Sequence, residues 1–181
     1  PQSTSMTIDL TRATREEIPV LRSLMQFYLY DIASLDHWDL RPDGSYGNPE
    51  RIESFWAEED YDRFLIRVDG FLAGFALTSR TSDDADGSPQ VMNEFFVLRR
   101  YRRTGVGRAV ARRLFEGHEG TWYLTVMRAN VLAQDFWASV ISDLTGKERC
   151  EFTVSQDTDE DIIFRFSTAR TSSGDVSMRI P

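Results

Sequence analysis

The stretch "FFVLRRYRRTGVGRAVARRLFE" (residues 95–116) passes from an apolar run through seven arginines and two glycines into a helical pattern. Such a segment suits either a basic helix laid on nucleic acid or a turn that holds a small phosphate-bearing ligand. Two nucleotide-binding templates do not fit it. The G-x-x-x-x-G-K-[ST] phosphate loop occurs nowhere in the chain. The G-x-G-x-x-G fingerprint needs a glycine directly after a strand. Here Gly105 lies beyond the arginines, Val110 stands where the third glycine belongs, and no acid follows about 20 residues later. What remains is a strand, an arginine-rich turn and R-x-x-G-x-G (Arg102, Gly105, Gly107) opening a helix. Glycine has no Cβ, so the chain can turn tightly and an anion can approach its N–H groups. First-turn amides of a helix lack partners and sit at the positive dipole end, which suits a diphosphate. Flanking arginines add charge-assisted contacts. A capped helix with a solvated arginine face satisfies the same pattern.

Before this segment, "QVMNEFFVL" (90–98) reads as an apolar strand, and "RFLIRV" (63–68), "DG" (69–70) and "FLAGFALTSR" (71–80) predict a hairpin with a type I′ turn. "TIDLTRA" (7–13) alternates as a strand. Thr14 is a plausible N-cap for a helix carrying Ile18, Leu21, Leu24, Met25, Tyr28 and Leu29 at spacings of three and four. Pro49 opens a short helix through Trp56. After the arginine segment, Val106, Val110 and Leu114 share one helical face, while Arg112 and Glu116 form an i,i+4 pair on another. "GTWYLTV" (120–126) is a fifth strand, "NVLAQDFWASVI" (130–141) an amphipathic helix, and "GKERCEFTVS" and "DIIFRFS" closing strands. The order β-α-α-β-β-β-α-β-α-β-β implies an α/β chain with a mixed sheet of about seven strands and helices on both faces. Residues 1–6 and 169–181 are expected to be flexible ends around a single domain over 7–168.

A chain of 181 residues with 41% hydrophobic content can bury a core of ordinary size. Cys150 is the only cysteine, so no internal disulfide forms, which fits a reducing cytoplasm. The two histidines, His37 and His118, do not suggest a metal site. No apolar stretch approaches the length of a membrane span, and the first ten residues do not resemble a secretory signal. The net charge of −8 counts against general nucleic-acid binding. Residues 31–62 alone carry ten acids and two bases, and the remainder is balanced. This acidic segment reads either as a solvated surface or as a mouth that attracts a cation.

The R-x-x-G-x-G turn after the fourth strand, within this element order, resembles the GNAT superfamily of acyl-CoA-dependent N-acetyltransferases. The resemblance spans roughly residues 7–166 and rests on "NEFFVLRRYRRTGVGRAVARRLF" (93–115) and on "NVLAQDFW" (130–137), which stands where the family often has N-x-x-A-x-x-F-Y. It implies a GNAT-like fold and an acetyl-CoA N-acetyltransferase with no metal. The backbone of Phe96, Val97 and Leu98 would pair with the pantetheine arm. Arg102, Arg103, Thr104, Gly105, Val106, Gly107 and Arg108 would wrap the pyrophosphate, and Asn130 would contact the pantetheine or cap its helix. Glu94 is the candidate base, placed by alternation on an apolar face with Met92 and Phe96 that should raise its pKa.

Trp137 occupies the position where many members carry a tyrosine, and an indole cannot protonate sulfur. The proton then comes from Tyr123, Tyr28 or solvent, or the coenzyme leaves as thiolate. The acceptor implied is a small, cationic amine met by Tyr28, Asp31 and Trp38, with Tyr30 and Tyr46 nearby. Neither nucleic acid nor membrane is an expected partner, and a homodimer is compatible with the reading. Two alternatives stay open at this level: a non-catalytic acyl-CoA sensor or interaction module, and a DNA-binding regulator.

Overall fold

The computed structural model describes residues 6–81, 89–146, 150–154, 161–168 and 178–180. Eight strands form one mixed sheet: β1 (Met6–Arg12), β2 (Tyr61–Val68), β3 (Phe71–Arg80), β4 (Gln90–Val97), β5 (Gly120–Val126), β6 (Cys150–Val154), β7 (Ile162–Thr168) and β8 (Met178–Ile180). Their order across the sheet is β6-β7-β5-β4-β3-β2-β1-β8. Only β4 and β5 pair in parallel; the other neighbours are antiparallel. The strand beyond the expected seven is β8, which lies within the 169–181 segment read as a flexible end and pairs with β1. Residues 1–5 and most of that C-terminal segment lie outside the described residues.

Four helices cover the sheet: α1 (Ile18–Ala33), α2 (Pro49–Ala57), α3 (Val106–Glu116) and α4 (Val131–Thr145). Local chemistry explains where they start. The Thr14 N–H donates to the Glu17 carboxylate at 3.0 Å, bracketing a short 3-10 turn that leads into α1. Asn48 caps α2 by accepting from the Glu50 N–H at 2.9 Å, with Pro49 following. In the β2–β3 hairpin Asp69 and Gly70 both have positive φ, 50° and 81°, as the expected type I′ turn requires.

Strand alternation divides the core into two clusters. Leu65, Phe75, Leu77 and Phe96 face α1 and α2, where they meet Leu21, Leu24, Met25, Phe55 and Trp56. Ile66, Ala76, Met92, Trp122 and Phe166 face α3 and α4, where they meet Val110, Leu114, Phe115, Trp137 and Ile141. Helices therefore lie on both faces, as the element order implied.

One irregularity in β4 matters for everything below. Leu77 pairs with Glu94, whereas its neighbour Thr78 pairs with Met92, so Asn93 is an extra residue on β4. This bulge breaks the alternation. Glu94 keeps company with Phe96 on the α1/α2 face, as expected, but Met92 is turned to the α3/α4 face and is buried there. The expectation that Met92 lines the surroundings of Glu94 is therefore corrected. Among the described residues no helix is long and apolar enough to cross a membrane.

Candidate active site

The bulge coincides with a parting of strands. β4 and β5 pair only through Gln90–Trp122, Val91–Tyr123 and Met92–Leu124. Beyond that point β5 continues along β7 and β4 along β3, so a cleft opens between them. The Leu98 N–H donates to the Ala73 carbonyl at 2.8 Å, in register with the Phe96–Phe75 pair. Antiparallel pairs alternate between bonded and non-bonded, so Phe96 and Leu98 turn their amides toward β3, and Phe95 and Val97 turn theirs into the cleft. Of the three backbone segments expected to meet a pantetheine arm, only Val97 thus offers a free N–H. Phe95, which the sequence reading missed, offers a second. Strand parity depends on the register with β3, and no residue in the sequence announces it.

The cleft ends at the arginine turn. Arg103 and Gly105 both adopt positive φ, 62° and 92°, so the chain folds back sharply before α3 begins. Among the described residues no carbonyl accepts from the amides of residues 103–108. They form a row of unpaired donors at the positive end of α3. Gly107 has a different duty. A Cβ there would meet the Phe136 ring at 3.4 Å, so the missing side chain lets α3 lie close to α4.

The arginine side chains are mostly engaged with the protein itself. Arg102 Nε donates to the Val97 carbonyl at 2.7 Å, and its guanidinium also pairs with Asp31 and lies over the Phe96 ring at 5.5 Å. Arg99 reaches the same carboxylate at 2.7 Å. Asp31, with both oxygens occupied, ties α1 to the basic turn. Arg108 pairs with Asp143 and donates to Ser139 Oγ at 2.7 Å. Thr104 Oγ1 donates to the Tyr101 carbonyl at 2.7 Å. Arg100, whose guanidinium lies over the Tyr101 ring at 5.5 Å, and Arg103 are the cations of the turn whose side chains have no ion-pair or hydrogen-bond partner among the described residues. Asn130 caps α4, accepting from the Ala133 N–H at 3.2 Å.

On the α1/α2 face Glu94 is the central titratable group. Burial raises its pKa, against a lowering by a hydrogen bond from Tyr28 and by the Arg51 guanidinium. Tyr28 is pushed well above the ordinary tyrosine range by burial first and by Glu94 second, so its hydroxyl stays protonated. Its ring packs against Phe75 and Phe96 at 5.9 and 5.8 Å. Beside this pair lies a cavity of about 220 Å³ lined by Arg51, Ser54, Phe55, Tyr61, Asn93 and Thr125, among others. The bulge residue Asn93 points its Oδ1 into buried space without a partner. Of these lining residues the sequence reading singled out none as site residues, because α2 and the β4 bulge meet only in the folded chain.

The remaining candidates are more distant from this chemistry. Trp38 follows α1, is 40% exposed, and donates from Nε1 to Asp36 at 2.6 Å. Tyr30 and Tyr46 lie 6.0 Å apart, ring to ring. Tyr123 accepts from Arg165 Nε at 3.0 Å. Trp137 is buried among Phe95, Phe115 and Phe136, with ring centroids 4.8–5.8 Å away, and serves the core. Among the described residues no cluster of His, Cys, Asp or Glu is arranged to hold a metal ion.

Comparison with known proteins supplies an independent finding. The family model described as Acetyltransferase (GNAT) family matches residues 29–140. A GNAT-family acetyltransferase from Streptococcus agalactiae superposes with a TM-score of 0.67 at 16% identity, covering 90% of this chain and 96% of its own. The ribosomal-protein-S18-alanine N-acetyltransferase of Escherichia coli gives 0.57 at 18% identity, covering 94% and 99%. The PaiA N-acetyltransferase of Thermoplasma acidophilum, solved in complex with coenzyme A, gives 0.55 at 14% identity, covering 88% and 98%. At these identities the structural likeness speaks for the fold alone. No curated protein matches the sequence significantly.

Proposed function

The chain belongs to the GNAT acetyltransferase family, and on that premise we propose that it is an acetyl-CoA-dependent N-acetyltransferase acting on the primary amine of a small acceptor whose reacting end is cationic. The acetyltransferase domain comprises residues 7–168 and works in the cytoplasm.

The observation that carries the proposal is the parting of β4 from β5, which leaves the Phe95 and Val97 amides facing a cleft that ends at the unpaired amides of residues 103–108. This donor set fits acetyl-CoA. A strand edge with free N–H groups suits an amide-bearing pantetheine arm, and a row of first-turn amides suits a diphosphate. Backbone rather than guanidinium groups supply most of the grip, because Arg102 and Arg108 are held by the protein; Arg103 adds a charge that no acid neutralises among the described residues.

Bound acetyl-CoA supplies the acyl group: the amine nitrogen forms the new C–N bond, the C–S bond breaks, the amine gives up one proton and the coenzyme leaves as thiol. The protein's residues prepare that exchange. Glu94, raised toward neutrality by burial, takes the proton from the ammonium directly or through water. The Val97 N–H faces the cleft as a preorganised donor for an oxygen that gains negative charge. Tyr28 keeps its proton beside Glu94 and is a candidate to return a proton to the leaving thiolate. Asp31 acts through Arg99 and Arg102 by fixing the turn, while Trp38 and Tyr30 border the approach to the site.

The burial of Trp137 favours one second reading, a domain that binds the coenzyme without turnover, since this residue cannot serve as acid. Thiol release from acetyl-CoA across a panel of amines separates the two. The proposal expects release that depends on the amine and is lost in Glu94→Gln with coenzyme binding intact. Binding without release in any amine would favour the sensor.

A further inference from the structure

The acidic segment suggests an acceptor drawn in by carboxylates, yet several of its carboxylates are engaged by other side chains and none lines the cavity. Asp31 holds Arg99 and Arg102, Glu53 holds Arg22, Asp62 holds Arg12, Asp43 holds Ser45 and Arg41, and Asp36 holds Trp38. The cavity beside Glu94 has a different character. Its one charged lining residue is Arg51, whose guanidinium has no ion-pair or hydrogen-bond partner among the described residues; only its backbone carbonyl is engaged, by Ser54. At the inner end Asn93 presents an unpartnered, buried carboxamide oxygen.

These two groups ask for opposite things. An exposed guanidinium at a cavity wall calls for an anion with paired oxygens, since its fork matches a carboxylate or phosphonate. A buried carbonyl oxygen without a donor costs free energy until an N–H reaches it. We propose that the acceptor is a small amine that also carries an anionic group, carboxylate or phosphonate, held by Arg51 while its ammonium donates to Asn93 beside Glu94. The inference rests on the acetyltransferase reading above and narrows its substrate class to amino acids and aminoalkylphosphonates. Size agrees with it. About 220 Å³ is below the roughly 300–1,000 Å³ of drug-sized pockets and equals about seven water volumes, which suits an amino-acid-sized molecule. Ser54 and Thr125 add hydroxyls along the same wall.

The test compares matched acceptors with the intact protein and acetyl-CoA. Free amino acids and aminoalkylphosphonates are set against the corresponding amino acid carboxamides and simple diamines, with coenzyme binding measured by calorimetry on the same samples. Wild-type protein is expected to favour the anionic amines over the carboxamides by about 10- to 100-fold in kcat/KM, the scale of a charge-assisted contact. Arg51→Met should erase that ratio with coenzyme affinity in place, and Arg51→Lys should keep part of it; because the Arg51 guanidinium also lowers the Glu94 pKa, the ratio is compared at a pH above the acid limb of each protein. The carboxylate and phosphonate arms show which anion the site takes. Equal or better use of carboxamides or diamines overturns the proposal. So does an unchanged ratio in Arg51→Met, or a panel in which no anionic amine binds or reacts. Coenzyme binding with amine turnover but no anion preference defeats this inference alone, whereas failure to bind the coenzyme defeats the acetyltransferase reading as well.

Discussion

Tyr28 on α1 and Glu94 on β4 sit together on the α1/α2 face, and burial drives each toward its neutral form. The ionised carboxylate is the working form of a base, so kcat/KM should rise with pH through an apparent pKa above the ordinary glutamate range. The Tyr28 hydroxyl lowers the Glu94 pKa, so removing it in Tyr28→Phe should move that acid limb to higher pH. A pH–rate profile checks both statements, and an acid limb that stays in place in Tyr28→Phe contradicts the pairing.

The same burial has a consequence for stability. A folded-state pKa raised above the unfolded value contributes stability that is fully present below the unfolded pKa and lost as pH rises through the folded pKa. Glu94→Gln removes that loss. The variant should unfold at a higher temperature than wild type at neutral pH, with the gap closing as pH falls toward about 4. Thermal unfolding followed across pH measures it.

What could be read in advance follows from how local each signal is. The Asp69–Gly70 turn, strand 120–126 and the faces of α3 are set by neighbours in sequence, and the structure has them where the pattern put them. The position of Glu94 on the α1/α2 face followed from simple alternation with Phe96. Met92 did not obey it, because the extra residue Asn93 reflects register with β3, a relation between distant segments. For the same reason the cleft-facing amide of Phe95 and the cavity at Arg51 were not legible. Arg99, Arg102 and Arg108, which the basic charge of the segment suggested as phosphate ligands, meet the acids Asp31 and Asp143, remote in sequence.

Gly105 has φ of 92°, a conformation that costs an L side chain about 1–2 kcal/mol. Gly105→Val should lose that much stability and weaken acetyl-CoA binding by tenfold or more, as the turn relaxes and its amides lose alignment. Gly105→Asn, which tolerates this region better, should lose less of both. Calorimetric titration with unfolding curves distinguishes the two variants, and equal coenzyme affinity in all three proteins contradicts the role given to the turn.

Gly74 lets β3 come against β4 where the cleft opens. A Cβ at that position would lie 2.0 Å from the Phe96 carbonyl oxygen, a backbone atom that cannot step aside. Gly74→Ala should therefore cost about 1–3 kcal/mol by overpacking and impair coenzyme binding by displacing the Val97 end of β4. Urea unfolding is the appropriate measurement, with wild-type stability as the contrary result.

Asp31→Asn separates a tie from an acceptor contact. Loss of the shared pair with Arg99, which is largely solvent-exposed, and Arg102, which is partly so, should cost about 1 kcal/mol. Acceptor KM should change little. A large rise in acceptor KM at unchanged stability would instead give Asp31 direct contact with the substrate.

The most direct measurement is an amide-resolved NMR titration of the protein with acetyl-CoA. The account predicts saturable shifts concentrated at Phe95, Val97 and residues 103–108, with the Leu98 amide protected by Ala73 throughout. Saturating acetyl-CoA that leaves those amides unmoved, or that perturbs another surface instead, would contradict it.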